Sequence, residues 1–129
     1  MQRAYDFLKG HTYFIATEDG DQARVRPFGS LFLHENKLYI STTKEKKVYE
    51  QLKKAPKIEL AAMGQGGWIR ITAVAVEETD PEIVKLIWQD TARRRKLDPE
   101  KMNPNTASFC LQNGTVAIIR CQETESFTF

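Results

Sequence analysis

The chain has 129 residues with two cysteines, two histidines and a formal net charge of +2 at pH 7. That length suits one domain that buries a core without disulfides or a structural metal, and the near-balanced charge supplies no whole-molecule field for nucleic acid or an anionic membrane. No apolar run exceeds strand length and the start, MQRAYDFLKGH, carries charge among its apolar residues, so neither a secretory signal nor a transmembrane helix is expected and a cytoplasmic location is.

In chain order, Gln2 to Lys9 reads as a short helix stopped by Gly10. Thr12 to Thr17 is rich in β-formers, and Glu18-Asp19-Gly20-Asp21 supplies the turn of a hairpin. The run Gln22 to Leu33 contains Pro27 and Gly29, which mark a bend or bulge. After a turn at His34 to Lys37, Leu38 to Ser41 is a strand. Lys44 to Lys54 is then a helix, with Val48 and Leu52 four apart and Thr42 with Glu45 as an S/T-x-x-E capping box. Pro56 ends it. Ile58 to Ala62 and Trp68 to Val76 are strands divided by Gly64-Gln65-Gly66-Gly67, and Asp80-Pro81 begins a helix that buries Ile83, Val84, Ile87 and Trp88 and extends toward Arg93-Arg94-Arg95-Lys96. Leu97 to Thr106 is a polar loop. Ala107 to Leu111, a turn at Asn113-Gly114, and Thr115 to Cys121 are the closing strands, and Ser126 to Phe129 adds an edge. Six or seven hairpin-linked strands predict a mainly β fold, an antiparallel barrel with flanking helices.

Two segments are suited to an anion. Alternation puts Arg24 and Arg26 on one side of a strand just before a bend, where paired guanidiniums can clamp a phosphate; the bland reading is two solvent-facing arginines. Ser41 and Thr42 end a strand where a helix begins, with Lys44, Lys46 and Lys47 in its first turns, so hydroxyls, free amides and ammonium groups converge. The alternative is a capped, solvated helix, and Glu45 there would repel an anion. There is no G-x-x-x-x-G-K-[ST] phosphate loop, the histidines and cysteines lack zinc-ligand spacing, and no hydroxyl has nucleophile-and-base spacing with His11 or His34. Metal and hydrolase chemistry are not expected. Cys110 and Cys121 are expected to be free thiols.

The succession TYFIAT, an acidic-glycine turn, RVRPFG, LYIST, KEKKVYEQL, PKIEL and WIRITAVAV, covering Phe7 to about Val76, resembles the FMN-binding split barrels related to pyridoxamine-phosphate oxidases. The resemblance implies a split β-barrel that holds FMN at a homodimer interface. It sets the flavin ring against the backbone of Val25, Arg26, Pro27 and Phe28, and places the ribityl phosphate among Arg26, Ser41, Thr42, Lys46 and Lys47. Gln51, one turn beyond Lys47 on the same helical face, is a secondary candidate for the ribityl or phosphate end, and Arg24 joins the site only as the partner of Arg26 on the strand. Trp68 is a candidate to cover the ring from the second subunit, against the plainer role of a core or interface aromatic. The basic C-terminal segment that holds the substrate phosphate in pyridoxamine-phosphate oxidases has no counterpart here, with Arg120 alone near the end, which argues against oxidation of pyridoxamine phosphate itself. In related single-domain proteins a deazaflavin or haem takes the cofactor's place. The expected activity is FMN-dependent oxidoreduction of an unnamed substrate, with a small-molecule or nicotinamide electron donor, and no residue is identified as catalytic. The alternatives are a non-enzymatic flavin carrier or sensor and, in another class, a nucleic-acid-binding barrel using Lys44 to Lys54 and Arg93 to Lys96; the charge balance weighs against the last.

Overall fold

Turn chemistry organises the sheet. In the computed structural model, which describes residues 1–129, β1 (Tyr13–Asp19) and β2 (Gln22–Phe28) pair from Asp19↔Gln22 onward, and Gly20 takes φ +63 at the first loop position. Such a left-handed backbone suits glycine and matches the right-handed twist of a two-residue hairpin. β3 (Phe32–His34) and β4 (Lys37–Thr43) form a second hairpin across Glu35 and Asn36, and β5 (Lys57–Gly64) and β6 (Gly67–Glu77) a third across Gln65 and Gly66, with positive φ at both loop residues each time. The long β7 (Thr106–Arg120) turns back into β8 (Glu123–Thr128). The helices are α1 (Gln2–Leu8), α2 (Lys47–Lys54) and α3 (Pro81–Arg95).

The eight strands form one antiparallel sheet in the order β2-β1-β5-β6-β7-β4-β3, with β8 also paired to β7. The sheet coils without hydrogen-bonded closure: β8 is an edge beside β7, and the path itself ends in the two edge strands β2 and β3, so the barrel is split. The connection between β2 and β3 is fastened by the Tyr13 hydroxyl, which donates to the Ser30 carbonyl at 2.7 Å. Eight strands replace the six or seven expected: the run from Gln22 divides at Gly29–Leu31 into β2 and β3, the two expected closing strands join into the single β7, and the tail forms the full strand β8.

Inward residues alternate along the strands and fill the split barrel, among them Tyr13, Ile15, Leu38, Ile40, Leu60, Ile69, Ile71, Val116 and Ile118. Phe7 and Leu8 of α1 and Val48 and Leu52 of α2 join the same core. Burying each such side chain contributes roughly 1.5–3 kcal/mol, which anchors both helices to the barrel. α3 packs separately, through Ile87, on Tyr39 and Cys110. Its Asp80 side chain accepts the Glu82 amide at 2.9 Å, and Trp88, half-buried instead of fully buried, donates to the Pro99 carbonyl and ties down the loop that follows.

Two local expectations are corrected. Thr42 does not cap α2: β4 keeps pairing with β7 through Thr42↔Ala107 and Thr43↔Thr106, the helix starts at Lys47, and Lys46 sits at its N-cap with no side-chain cap. Glu45 instead receives the Asn105 side-chain amide. Asn113-Gly114 is not a turn between two strands. β7 runs straight past it, and the register with β6 steps from Thr72↔Thr115 to Val74↔Gln112, so two residues of β7 oppose Ala73 in a bulge.

The two cysteines lie toward opposite ends of β7, Cys110 buried within it and Cys121 exposed just past it. At ~3.3 Å of rise per residue that separation far exceeds disulfide reach. No helix is long and apolar enough to cross a membrane.

Candidate functional site

Alternation along β2 puts Arg24, Arg26 and Phe28 on the inner face, the two arginines beside the start of α2 and Phe28 on the core, and leaves Val25 and Pro27 on the outer face. Arg26 reaches across β1, its Nη1 donating to Thr17 Oγ1 at 2.7 Å and the Ile15 carbonyl at 3.3 Å, its Nη2 to Gln51 Oε1 at 2.6 Å. Thr17 Oγ1 in turn donates to the same Gln51 oxygen at 2.6 Å. An arginine can only donate, so this network dictates the orientation of the Gln51 amide and leaves its NH₂ group available to the neighbouring groove.

That groove has a volume of about 350 Å³ and is lined by Asp19, Arg24, Val25, Arg26, Lys46, Lys47, Val48 and Gln51. Four cations thus face it with one carboxylate. Asp19 accepts from Arg24 Nε at 3.1 Å, whereas Arg26, Lys46 and Lys47 have no acidic partner. Burial, and then the neighbouring Arg24 charge, pull the Arg26 guanidinium below its ordinary pKa. The chain therefore holds a partly buried cation with neutral acceptors alone, and it does so beside the N-terminus of α2, whose first backbone N–H groups lack intrahelical partners. Such a place stabilises a small anion.

Glu77 of β6 sets the position of α2. It accepts from the Tyr49 hydroxyl at 3.1 and 3.2 Å and from Lys53 at 2.8 Å, while Val48 and Leu52 enter the core. The remaining face, with Lys47 and Gln51 one turn apart, is thereby presented to Arg26.

The other predicted residues are placed differently. Ser41 Oγ pairs with Ser108 Oγ at 2.9 Å and the Ser41 backbone is bound by Ser30 Oγ, so it fastens β4 to its neighbours and does not line the groove. Thr42 shares the inward face of β4 with Leu38 and Ile40, and its Oγ1 is a buried side-chain oxygen with no hydrogen-bond partner. Phe28 packs on Tyr13 with ring centroids 6.0 Å apart, and Pro27 is exposed. Trp68 lies on the outer face of β6, three places from β2 in the sheet, under the guanidinium of Arg70.

Sequence reasoning missed Thr17, Asp19 and Val48. The signal for Thr17 was a hydroxyl at an inward position of an otherwise apolar strand; Asp19 was read as turn material and Val48 as core.

β2, as an edge strand, also offers unpaired backbone N–H and C=O groups. On the outer face beside it Phe14, Val25 and Met63 are 52%, 67% and 76% exposed. No three His, Cys, Asp or Glu side chains gather as metal ligands.

No curated protein matches the sequence. Among solved structures, a NimC/NimA family protein from Clostridium acetobutylicum superposes with a TM-score of 0.89 at 32% identity, over 100% of this chain and 92% of that one. General stress protein 26 from Bacillus anthracis shares the fold at 20% identity and a TM-score of 0.73, over 99% and 97% of the two chains. HupZ from group A Streptococcus does so at 16% and 0.67, over 100% and 98%. Residues 2–120 match the family model described as pyridoxamine 5'-phosphate oxidase. With that model spanning nearly the whole chain and a split sheet of this order beneath it, the chain belongs to the pyridoxamine 5'-phosphate oxidase family.

Proposed function

We propose that the protein binds FMN as a homodimer and acts as an FMN-dependent oxidoreductase, with the flavin between the subunits and a nicotinamide or other small-molecule electron donor. The observation that carries this reading is Arg26, a partly buried guanidinium whose partners, Ile15, Thr17 and Gln51, are all uncharged. A terminal phosphate is the counter-charge that the chain itself omits.

The residues present fit that group. Arg26, Lys46, Lys47 and the free amide of Gln51 would hold the phosphate, whereas the unpartnered Thr42 hydroxyl is buried and does not line the groove. The open edge of β2 along Val25 to Phe28 would meet the polar rim of the ring. Bound FMN would supply hydride or electron transfer; the protein's part is to bind and orient it and to keep water from its face.

A second copy of the chain is the fitting cover for the outer face. Val25 lines both that face and the groove, and exposed Phe14 and Met63 flank it, so a subunit seated there would bury apolar surface and enclose the ring together. Family membership supports the flavin and leaves the substrate open. The cytoplasm, where thiols stay reduced, suits two cysteines that the fold holds apart.

The test is direct. Gently purified protein should be yellow, release FMN on denaturation and bleach when a nicotinamide donor is added under anaerobic conditions. Protein that is colourless and takes up neither FMN nor any other flavin would overturn the reading.

A further inference from the structure

The groove's charge is graded along the β1–β2 hairpin, and the grading identifies a specificity residue. The register pairs Ile15↔Arg26, Thr17↔Arg24 and Asp19↔Gln22, so the groove floor runs from Arg26 through Arg24 to Asp19 as the hairpin turn is approached. Arg26 and Arg24 are roughly 7 Å apart along the strand. At the Arg26 end every partner is neutral; at the Arg24 end Asp19 accepts from the guanidinium at 3.1 Å and is the one carboxylate lining the groove.

We propose that Asp19 restricts this groove to a terminal phosphate ester and excludes flavins that continue through a second phosphate. The inference rests on the FMN reading above. With the ring along Val25 to Phe28 and the phosphate at Arg26 and the start of α2, anything esterified to the far side of that phosphate heads away from the ring, toward Gln22. There it meets the Asp19 carboxylate, and the cation that would receive a second phosphate, Arg24, is already neutralised. A diphosphate must either displace Asp19 from Arg24 or place its second negative group beside a like charge. FMN ends before that point. The pair is about half exposed on both sides, so its effect on a ligand is electrostatic and sensitive to salt.

The experiment titrates the full-length protein and its Asp19→Asn and Asp19→Glu variants with FMN, FAD and riboflavin at low ionic strength. Asparagine keeps the shape and a hydrogen-bond acceptor for Arg24 while removing the charge. Asp19→Asn should improve FAD relative to FMN by about ten-fold and leave riboflavin unchanged. Asp19→Glu should keep the parent's ratio, and the improvement should fade at about 1 M salt, where the screening length is near 3 Å. If FMN and FAD tighten equally, or neither changes, or the glutamate variant behaves like the asparagine one, Asp19 does not select by charge and the proposal fails while the phosphate groove stands. If the parent binds riboflavin as tightly as FMN, the phosphate reading itself fails.

Discussion

Arg26 Nη2 and Gln51 Oε1 stand 2.6 Å apart, and no carboxylate approaches that guanidinium. A neutral amide where an ion-pair partner would ordinarily sit is costly unless something else brings the charge. Gln51→Glu supplies the partner from within the chain. Its melting temperature should equal or exceed the parent's, while FMN affinity falls by at least about 100-fold because the phosphate now meets a carboxylate. Calorimetric melting and ligand titration check both halves; an unchanged FMN affinity would show that the phosphate lies elsewhere.

Lys47 begins α2 on the groove side and is paired with no acid. Lys47→Met keeps most of the stem and removes one charge-assisted bond, so FMN should bind with a loss of about 1.5–3 kcal/mol, or roughly ten- to hundred-fold. Riboflavin affinity and the melting curve should barely move. Equal weakening of the two ligands would assign Lys47 to the ring or ribityl chain instead.

Buried Tyr39 makes an alkaline prediction. Burial, then the neighbouring Cys110 and Glu78, push its hydroxyl up to about 12 from the ordinary value of 10.0. The folded state favours the neutral phenol, so its contribution is fully present below the unfolded pKa and is lost as pH rises from about 10 through about 12. Tyr39→Phe cannot ionise there, and its stability should fall less over that window, by on the order of 2 kcal/mol. Denaturant melts at pH 9 and at pH 12 measure the difference; parallel losses in both proteins would contradict the assignment.

For the subunit contact, Met63→Glu and Phe14→Glu put charge on the outer face beside Val25 without touching the groove's cations. Each should weaken dimerisation by at least about 100-fold, since an unpaired charge must be desolvated, and FMN retention should fall with it. Sedimentation over a concentration series would read this, and a dimer that persists in both variants would move the contact to another face.

The fold and its departures from expectation share a cause. Period-2 alternation and the turn dipeptides are local, so the hairpins, the core faces and the start of α3 at Asp80-Pro81 were legible in the chain. The bulge at Asn113 and Gly114 was not, because an Asn-Gly pair signals a tight turn unless a neighbouring strand holds it straight. Here β6 does so, and Gly114 also exchanges both backbone hydrogen bonds with Phe129. A β-carbon at Gly114 would lie 1.9 Å from the Thr72 carbonyl, so Gly114→Ala should be strongly destabilising despite its small size. A melting temperature within a few degrees of the parent's would refute that account.

At the site, the pair of arginines on one strand face and the lysines opening α2 could be read in advance, because each depends on spacing alone. Thr17 and Gln51 meet across thirty-four positions, and that contact exists only once β1 and α2 pack together. The same holds for Thr42, which resembles a helix cap until the pairing of β4 with β7 carries the strand past it.

The most direct measurement of the central claim is a double cycle at Arg26, titrating the parent and Arg26→Met with FMN and with riboflavin and comparing their melting curves. The account predicts that the parent prefers FMN by about 100-fold or more, that the preference drops to within a few-fold in the variant, and that riboflavin affinity is nearly unchanged. A folded variant that keeps the parent's full preference for FMN would contradict it.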